Sequence, residues 1–198
     1  MKKPTQNNHP INELIKHRWS PRAYSEKPVE KEKLQSIFEA ARWAPSAFNE
    51  QPWRFIVGIK GDETWNLIFD TLVEWNQQWA GKAPVLVLNI GKKTHVYNGK
   101  KNVTFKYDTG QAVAMMVTEA VNQGLFGHQM SGFDAAKATE LFGIPGDYQA
   151  ISVTAIGYYG DANDLPADMQ KSEMEERKRK PLKETVFAGK FGKSSDLV

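Results

Sequence analysis

Apolar positions recur at helical spacing in two early stretches. Ile11, Leu14 and Ile15 share one face of residues 11–18. Leu34, Ile37, Phe38 and Ala41 share one face of the next stretch, which carries acids early and Arg42 late and closes at Pro45. WRFIVGI, 53–59, lies between Pro52 and a Gly61-Asp62 turn and predicts a strand. Residues 62–80 return to helical spacing, with Trp65, Ile68, Phe69, Leu72, Val73 and Trp79 as the apolar set. PVLVLNI, 84–90, is a continuous apolar run of buried-strand length. GKKTHVYNGKKN is polar and turn-rich, which predicts an exposed loop or hairpin.

The longest apolar helix is predicted over 108–123, DTGQAVAMMVTEAVNQ. It is rich in small residues and apolar around much of its circumference, so it should be central and buried, with Met115 and Met116 as core filler. Gly124 stops it. LFGHQM predicts a short strand, DAAKATELFG a helix from an Asp cap to Gly143, and QAISVTAIGYYG, 149–160, a strong strand. The tail from 161 is polar. Its MEERKRK reads as a helix end or solvated run, and PLKETVF as extended. Helices come first, then strands interleaved with helices, an order that predicts an α+β or α/β chain with helices on at least one face of a sheet. No repeat or linker divides the chain, so residues 1–198 are expected to form one domain.

Composition narrows the chemistry. Hydrophobic residues make up 40% and charged residues 25% of the 198 positions, ordinary values for a globular protein. The net charge of +3 is too small to imply nucleic-acid binding, and a basic site for one small anion accounts for it equally well. There is no cysteine, so disulfides, thiolate metal sites and thiol redox chemistry are excluded, and any redox work must fall to a bound cofactor. The N-terminus has no apolar stretch of signal-peptide length and no segment is long enough to span a bilayer, so the expected location is cytoplasmic, without membrane partners.

Motifs exclude more. The histidines at 9, 17, 95 and 128 lie at no metal-ligand spacing, and GxSxG and GxGxxG are both absent. GKS at 192–194 lacks the upstream glycine of a phosphate-binding P-loop, since position 187 is Phe.

Two clusters remain. In HRWSPRAYSEKP, Arg18, Ser20 and Arg22 occupy alternate positions, which in an extended segment point the same way. Two guanidinium forks and a hydroxyl suit phosphate oxygens, and a loop with solvated arginines is the plain alternative. In APSAFNEQPWRF, Ser46, Asn49 and Gln51 offer uncharged donors and acceptors between Pro45 and Pro52. That suits the edge of a heterocycle such as a flavin; ordinary turn and cap roles are the alternative.

These clusters resemble those of the nitroreductase family of FMN-dependent oxidoreductases. RWSPRAY is similar to the family's R-x-S-x-R phosphate loop, and APSAFNEQPWRF to its P-S-x-x-N-x-Q-P-W-x-F segment. GHQMSGFD, 127–134, is similar to its flavin-edge segment, and RKRKPL, 177–182, to its basic pair before a proline. The four occur in the family's order from 18 to 182. The resemblance implies an α+β fold with a central, mainly antiparallel sheet flanked by helices, in a homodimer with a domain-swapped C-terminal tail and FMN at the interface.

By the same resemblance, Arg18 and Ser20 hold the phosphate and ribityl region, while Arg22 lies nearer the flavin N1 and C2=O. Ser46, Asn49 and Gln51 meet the ring and ribityl chain from the partner subunit. Ser131 and Gly132 flank N5, and Arg177 and Arg179 form a second phosphate pair. Trp19, Pro45 and Met130 complete the cofactor-binding set. Trp19, Trp43, Trp53 and Phe133 are otherwise expected to serve packing. NADH or NADPH would reduce the flavin by hydride transfer. A nitroaromatic, quinone or similar acceptor would then take two electrons in a ping-pong scheme, so no catalytic side chain and no metal is implied. Alternatives are a flavin-modifying or dehalogenating enzyme on the same fold, or a non-catalytic flavin-binding module. Residues 61–82 are shorter than the helical insertion with which larger members cover the substrate.

Overall fold

The strands form where apolar runs are continuous or alternate. The computed structural model describes residues 3–198. β1 is Trp53–Ile59, β2 Val85–Lys92, β3 Phe126–Met130 and β4 Tyr148–Gly157. They pair antiparallel in the order β1-β2-β4-β3, so β3 is an edge strand. β2 is buried through Gly91, because helices cover both of its faces. Leu86, Leu88 and Ile90 point into one core cluster and Val85 and Val87 into the other, as the two-residue period of a strand requires. The fold is α+β with an antiparallel sheet between helices.

Seven α-helices are formed among the described residues. α1 is Glu13–His17, α2 Lys31–Arg42, α3 Glu63–Asp70, α4 Glu74–Ala80, α5 Phe105–Asn122, α6 Ala135–Leu141 and α7 Ala167–Met174. The stripe on α2 buries Ile37 and Ala41 against Met116 and Ala120 of α5 and against Val85 and Val87. α5 starts a turn earlier than the apolar pattern suggests, and the N–H of Gly124, at φ +75°, donates to the Val121 carbonyl just beyond its end. α3, α4 and α6 cover the opposite face through Trp65, Ile68, Trp79 and Ala138. No helix among the described residues is long and apolar enough to cross a membrane.

Four expectations are corrected. The predicted helix 62–80 is two helices, because the backbone at 71–73 leaves the helical ladder to pair with the segment after β3. Val73 N–H donates to the Gly132 carbonyl at 3.1 Å and Asp134 N–H to the Thr71 carbonyl at 2.7 Å, which buries Leu72. The break therefore fixes the backbone of Gly132. PLKETVF is not extended: a 3-10 turn occupies Leu182–Glu184. Met116 is core, but Met115 is 39% exposed because it points away from the sheet, beside Trp43. Trp43 is 73% exposed at the end of α2 and does not pack into the core. Trp19 and Trp53 are buried as expected.

Candidate functional site

The arginine loop begins where α1 stops. Arg18 closes that helix with its N–H on the Leu14 carbonyl, then turns to an extended conformation at φ −64°, ψ 123°. Trp19 points inward, its ring 6.0 Å from that of Phe126 and 5.5 Å from that of Tyr159. Alternation then turns its neighbours outward, and Arg18 Nη1 donates to Ser20 Oγ at 3.5 Å. Arg22 diverges from this pair, with Nη1 donating to Ser172 Oγ at 3.4 Å.

The C-terminal basic pair comes to the same place. Arg177 Nη1 donates to the carbonyls of Lys3 (3.1 Å) and Lys16 (2.9 Å), tying the tail to the N-terminal segment and to the end of α1. Arg179 is exposed, with Nη1 on the Lys178 carbonyl. Burial, and then the charge of Arg179, lower the Arg18 pKa; burial, Arg18 and Arg179 do the same for Arg177. Among the described residues, none of Arg18, Arg22, Arg177 and Arg179 forms an ion pair. Two partly desolvated guanidiniums, Arg18 and Arg177, together with the exposed Arg179 repel one another, and with no ion-pair partner they make a site that an anion stabilises. Trp19 adds a buried indole Nε1 that has no hydrogen-bond partner.

The amide-rich loop lies elsewhere. It follows α2 and is strained: Phe48, Asn49 and Gln51 have φ of +55°, +54° and +47°. Left-handed backbone is unfavourable for residues with a Cβ, and such conformations cluster at ligand clamps. Local bonds hold it. Ser46 Oγ accepts from Gln51 N–H at 3.0 Å, Gln51 Nε2 donates to the Asn49 carbonyl, and buried Asp108 of α5 accepts from Ala47 N–H at 3.3 Å. The carbonyl of exposed Pro45 faces Gln111 Nε2 of the same helix at 3.5 Å. Asn49 is exposed.

A third group sits at the end of β3. Met130 is buried, Ser131 is exposed, and the Gly132 carbonyl accepts from Val73 N–H and from Asn76 Nδ2 at 2.8 Å. A Cβ on Gly132 would lie 2.8 Å from that Asn76 nitrogen, so a larger residue would displace the side chain that holds the Gly132 carbonyl. Ser131 opens onto a hollow of about 290 Å³ shared with Thr109, Gly110, Gln129 and Ser152.

The fold thus gathers Arg18, Trp19, Ser20, Arg177 and Arg179 into one cluster, with Arg22 beside it. Met130, Ser131 and Gly132 lie at the far end of β3. Pro45, Ser46, Asn49 and Gln51 are not with the arginine cluster. Their loop is anchored at Asp108, near the start of α5, whereas α1 packs beside Val121 at its end. Those two positions are about 20 Å apart along the helix. Sequence reasoning missed His128, Glu173, Asn76 and Asp108. His128 Nδ1 lies 2.9 Å from the Pro21 carbonyl and Glu173 binds the backbone of Arg22 and Ala23. No local spacing signals either contact, since both join residues far apart in the chain.

Comparison with known proteins gives a consistent answer. The family model described as "Nitroreductase family" matches residues 15–64 and 58–158. A 15.4 kDa protein of Mycolicibacterium smegmatis is 31% identical over 150 residues, covering 70% of this chain and 97% of its own length. A solved structure described as an oxidoreductase containing FMN superposes with a TM-score of 0.89 at 36% identity, over 94% of this chain and 96% of the other. A nitroreductase family protein from Clostridium difficile 630 gives a TM-score of 0.72 at 29% identity, over 92% of this chain and all (100%) of its own.

Proposed function

Because this chain belongs to the nitroreductase family, we propose that it binds FMN and works as a homodimeric, NAD(P)H-dependent oxidoreductase. The observation that carries this reading is the cluster of partly desolvated Arg18 and Arg177 with exposed Arg179, mutually repelling and without a carboxylate partner. A phosphate fits that cluster in charge and in hydrogen-bonding capacity. The similar structure that contains FMN supports the choice of ligand.

In this reading Arg18 and Ser20 take the phosphate end, with Arg179 and the free donors of Arg177 completing the cradle. Arg22, turned away from them, faces the pyrimidine side of the ring, where its charge favours the electron-rich reduced form. Trp19 packs beneath the loop and keeps water from its inner side. Met130, Ser131 and Gly132 border the ring, and the split between α3 and α4 keeps their backbone in place. Held by these residues, FMN would supply the redox chemistry of a two-electron transfer from NADH or NADPH to a nitroaromatic, quinone or similar acceptor, with one substrate leaving before the next enters. The chain's own residues bind, orient and stabilise charge, and none needs to act as an acid or a base.

A second copy completes the site. Pro45, Ser46, Asn49 and Gln51 sit at the opposite end of α5 from the arginines, so a ring touched by both groups takes its amide contacts from a partner. The exposed Trp43 and Met115, with Ala40 and Ala114 between α2 and α5, support a helix-to-helix interface there. Residues after Pro181, including the highly exposed Phe191 and Leu197, are free to reach across as a swapped tail.

Arg18→Ala tests the phosphate assignment. Loss of one charged contact is expected to weaken FMN binding about tenfold to a hundredfold, from roughly 1.5–3 kcal/mol. Quenching of flavin fluorescence on titration measures it, and unchanged affinity would refute the assignment.

A further inference from the structure

The loop that carries Arg18, Ser20 and Arg22 is held from behind by two side chains from distant elements. Glu173, on α7, is 1% exposed. Its carboxylate accepts the N–H of Arg22 at 3.0 and 3.1 Å, one bond to each oxygen, and the N–H of Ala23 at 3.2 Å. The Lys3 ammonium caps the backbone carbonyl of the same glutamate at 2.5 Å. His128, on edge strand β3, approaches the Pro21 carbonyl at 2.9 Å through Nδ1. A carbonyl can only accept, so Nδ1 carries the proton. The Trp79 ring packs against that ring, tilted by 30°, with 4.5 Å between centroids.

A buried carboxylate is costly unless its lone pairs are filled, and here two consecutive backbone N–H groups fill them. That bond set fixes the direction of the chain at 22–23, and the His128 bond fixes it at 21. With the polar backbone groups of this stretch engaged from inside, the side chains at 18 and 20 have only the outer side to occupy. The convergence of guanidinium and hydroxyl is therefore imposed by residues that do not themselves meet the ligand.

We propose that Glu173 and His128 are positioning residues that preshape the 18–22 loop for the phosphate of FMN. This rests on the FMN reading above and goes beyond it: Glu173 lies outside the motifs that suggest a flavin, and His128, although within GHQMSGFD, has no role assigned there. Preorganised donors gain affinity by removing the ordering cost at the moment of binding.

The test compares FMN with riboflavin, which differ only in the phosphate. Dissociation constants for both flavins are measured on the full-length apo-protein, wild type and variants. Glu173→Ala is expected to reduce the preference for FMN over riboflavin by about tenfold or more, FMN losing affinity well beyond whatever riboflavin loses through Arg22. Glu173→Gln, which keeps one acceptor oxygen toward the two N–H groups, should recover most of the preference. His128→Ala should reduce it severalfold. Should the alanine variant at 173 not fold, Glu173→Asp, which withdraws the carboxylate by one methylene, carries the same expectation of a severalfold loss. A merely structural role would weaken both flavins equally. That result, or an unchanged preference, overturns the proposal. A wild-type protein that binds riboflavin as tightly as FMN instead overturns the phosphate reading itself.

Discussion

His128 shows how one residue reports on the whole loop. Burial is the main reason its pKa falls from 6.5 to about 4; its bond to the Pro21 carbonyl opposes that shift, and the charges of Arg22 and Arg18 add to it. The folded value lies below the unfolded one, so the unfolded chain takes up the proton first. Its contribution to stability is whole above about pH 6.5 and is lost as pH falls toward 4, by roughly 3 kcal/mol in total. Urea midpoints measured from pH 7 to pH 4 should therefore fall more steeply for wild type than for His128→Gln. Parallel curves would contradict this. Arg18, Ser20 and Arg22 were legible in the sequence because alternation in an extended loop is a local pattern. Even so, the pattern could not reveal that Arg22 turns toward Ser172 while Arg18 and Ser20 stay together.

At the scale of elements, the amide-rich loop stores strain that the rest of the fold must hold. Phe48 is 82% exposed and sits at φ +55°, where a Cβ is unfavourable; its ring keeps two loose contacts, 6.1 Å from that of His95 and 6.0 Å from that of Tyr97. Phe48→Gly should raise stability by about 0.5–1 kcal/mol, against the usual direction of such a change. Chemical denaturation measures it, and a loss above about 1 kcal/mol would show that the ring packs where the structure leaves it exposed. The four strands were readable because their apolar runs have strand length and lie between turn residues. The break at 71–73 was not, because Leu72 and Val73 continue the helical apolar pattern and only pairing with 132–134 interrupts it. Asp108 and Glu173 escaped notice for the same reason. Each is an acid in a polar stretch that accepts from a backbone N–H far away in sequence.

At the scale of the molecule, the proposed dimer is supported by the apolar strip between α2 and α5 and by the separation of the amide-rich loop from the arginines along α5. Met115→Glu places a charge on that strip without touching the core. In sedimentation it should run as a monomer and lose FMN together with dimerisation; a monomer with full FMN affinity would show that one chain holds the whole site. Family membership and the α+β fold rest on the sheet, the helices and the sequence matches together. The proposed activity rests on a bound flavin. It is tested most directly by following the flavin absorbance of the purified protein under anaerobic conditions, adding NADH or NADPH and then a nitroaromatic. The account predicts a yellow protein whose flavin band bleaches with the nicotinamide and returns with the acceptor. A colourless protein, or a flavin band that neither nucleotide bleaches, would contradict it.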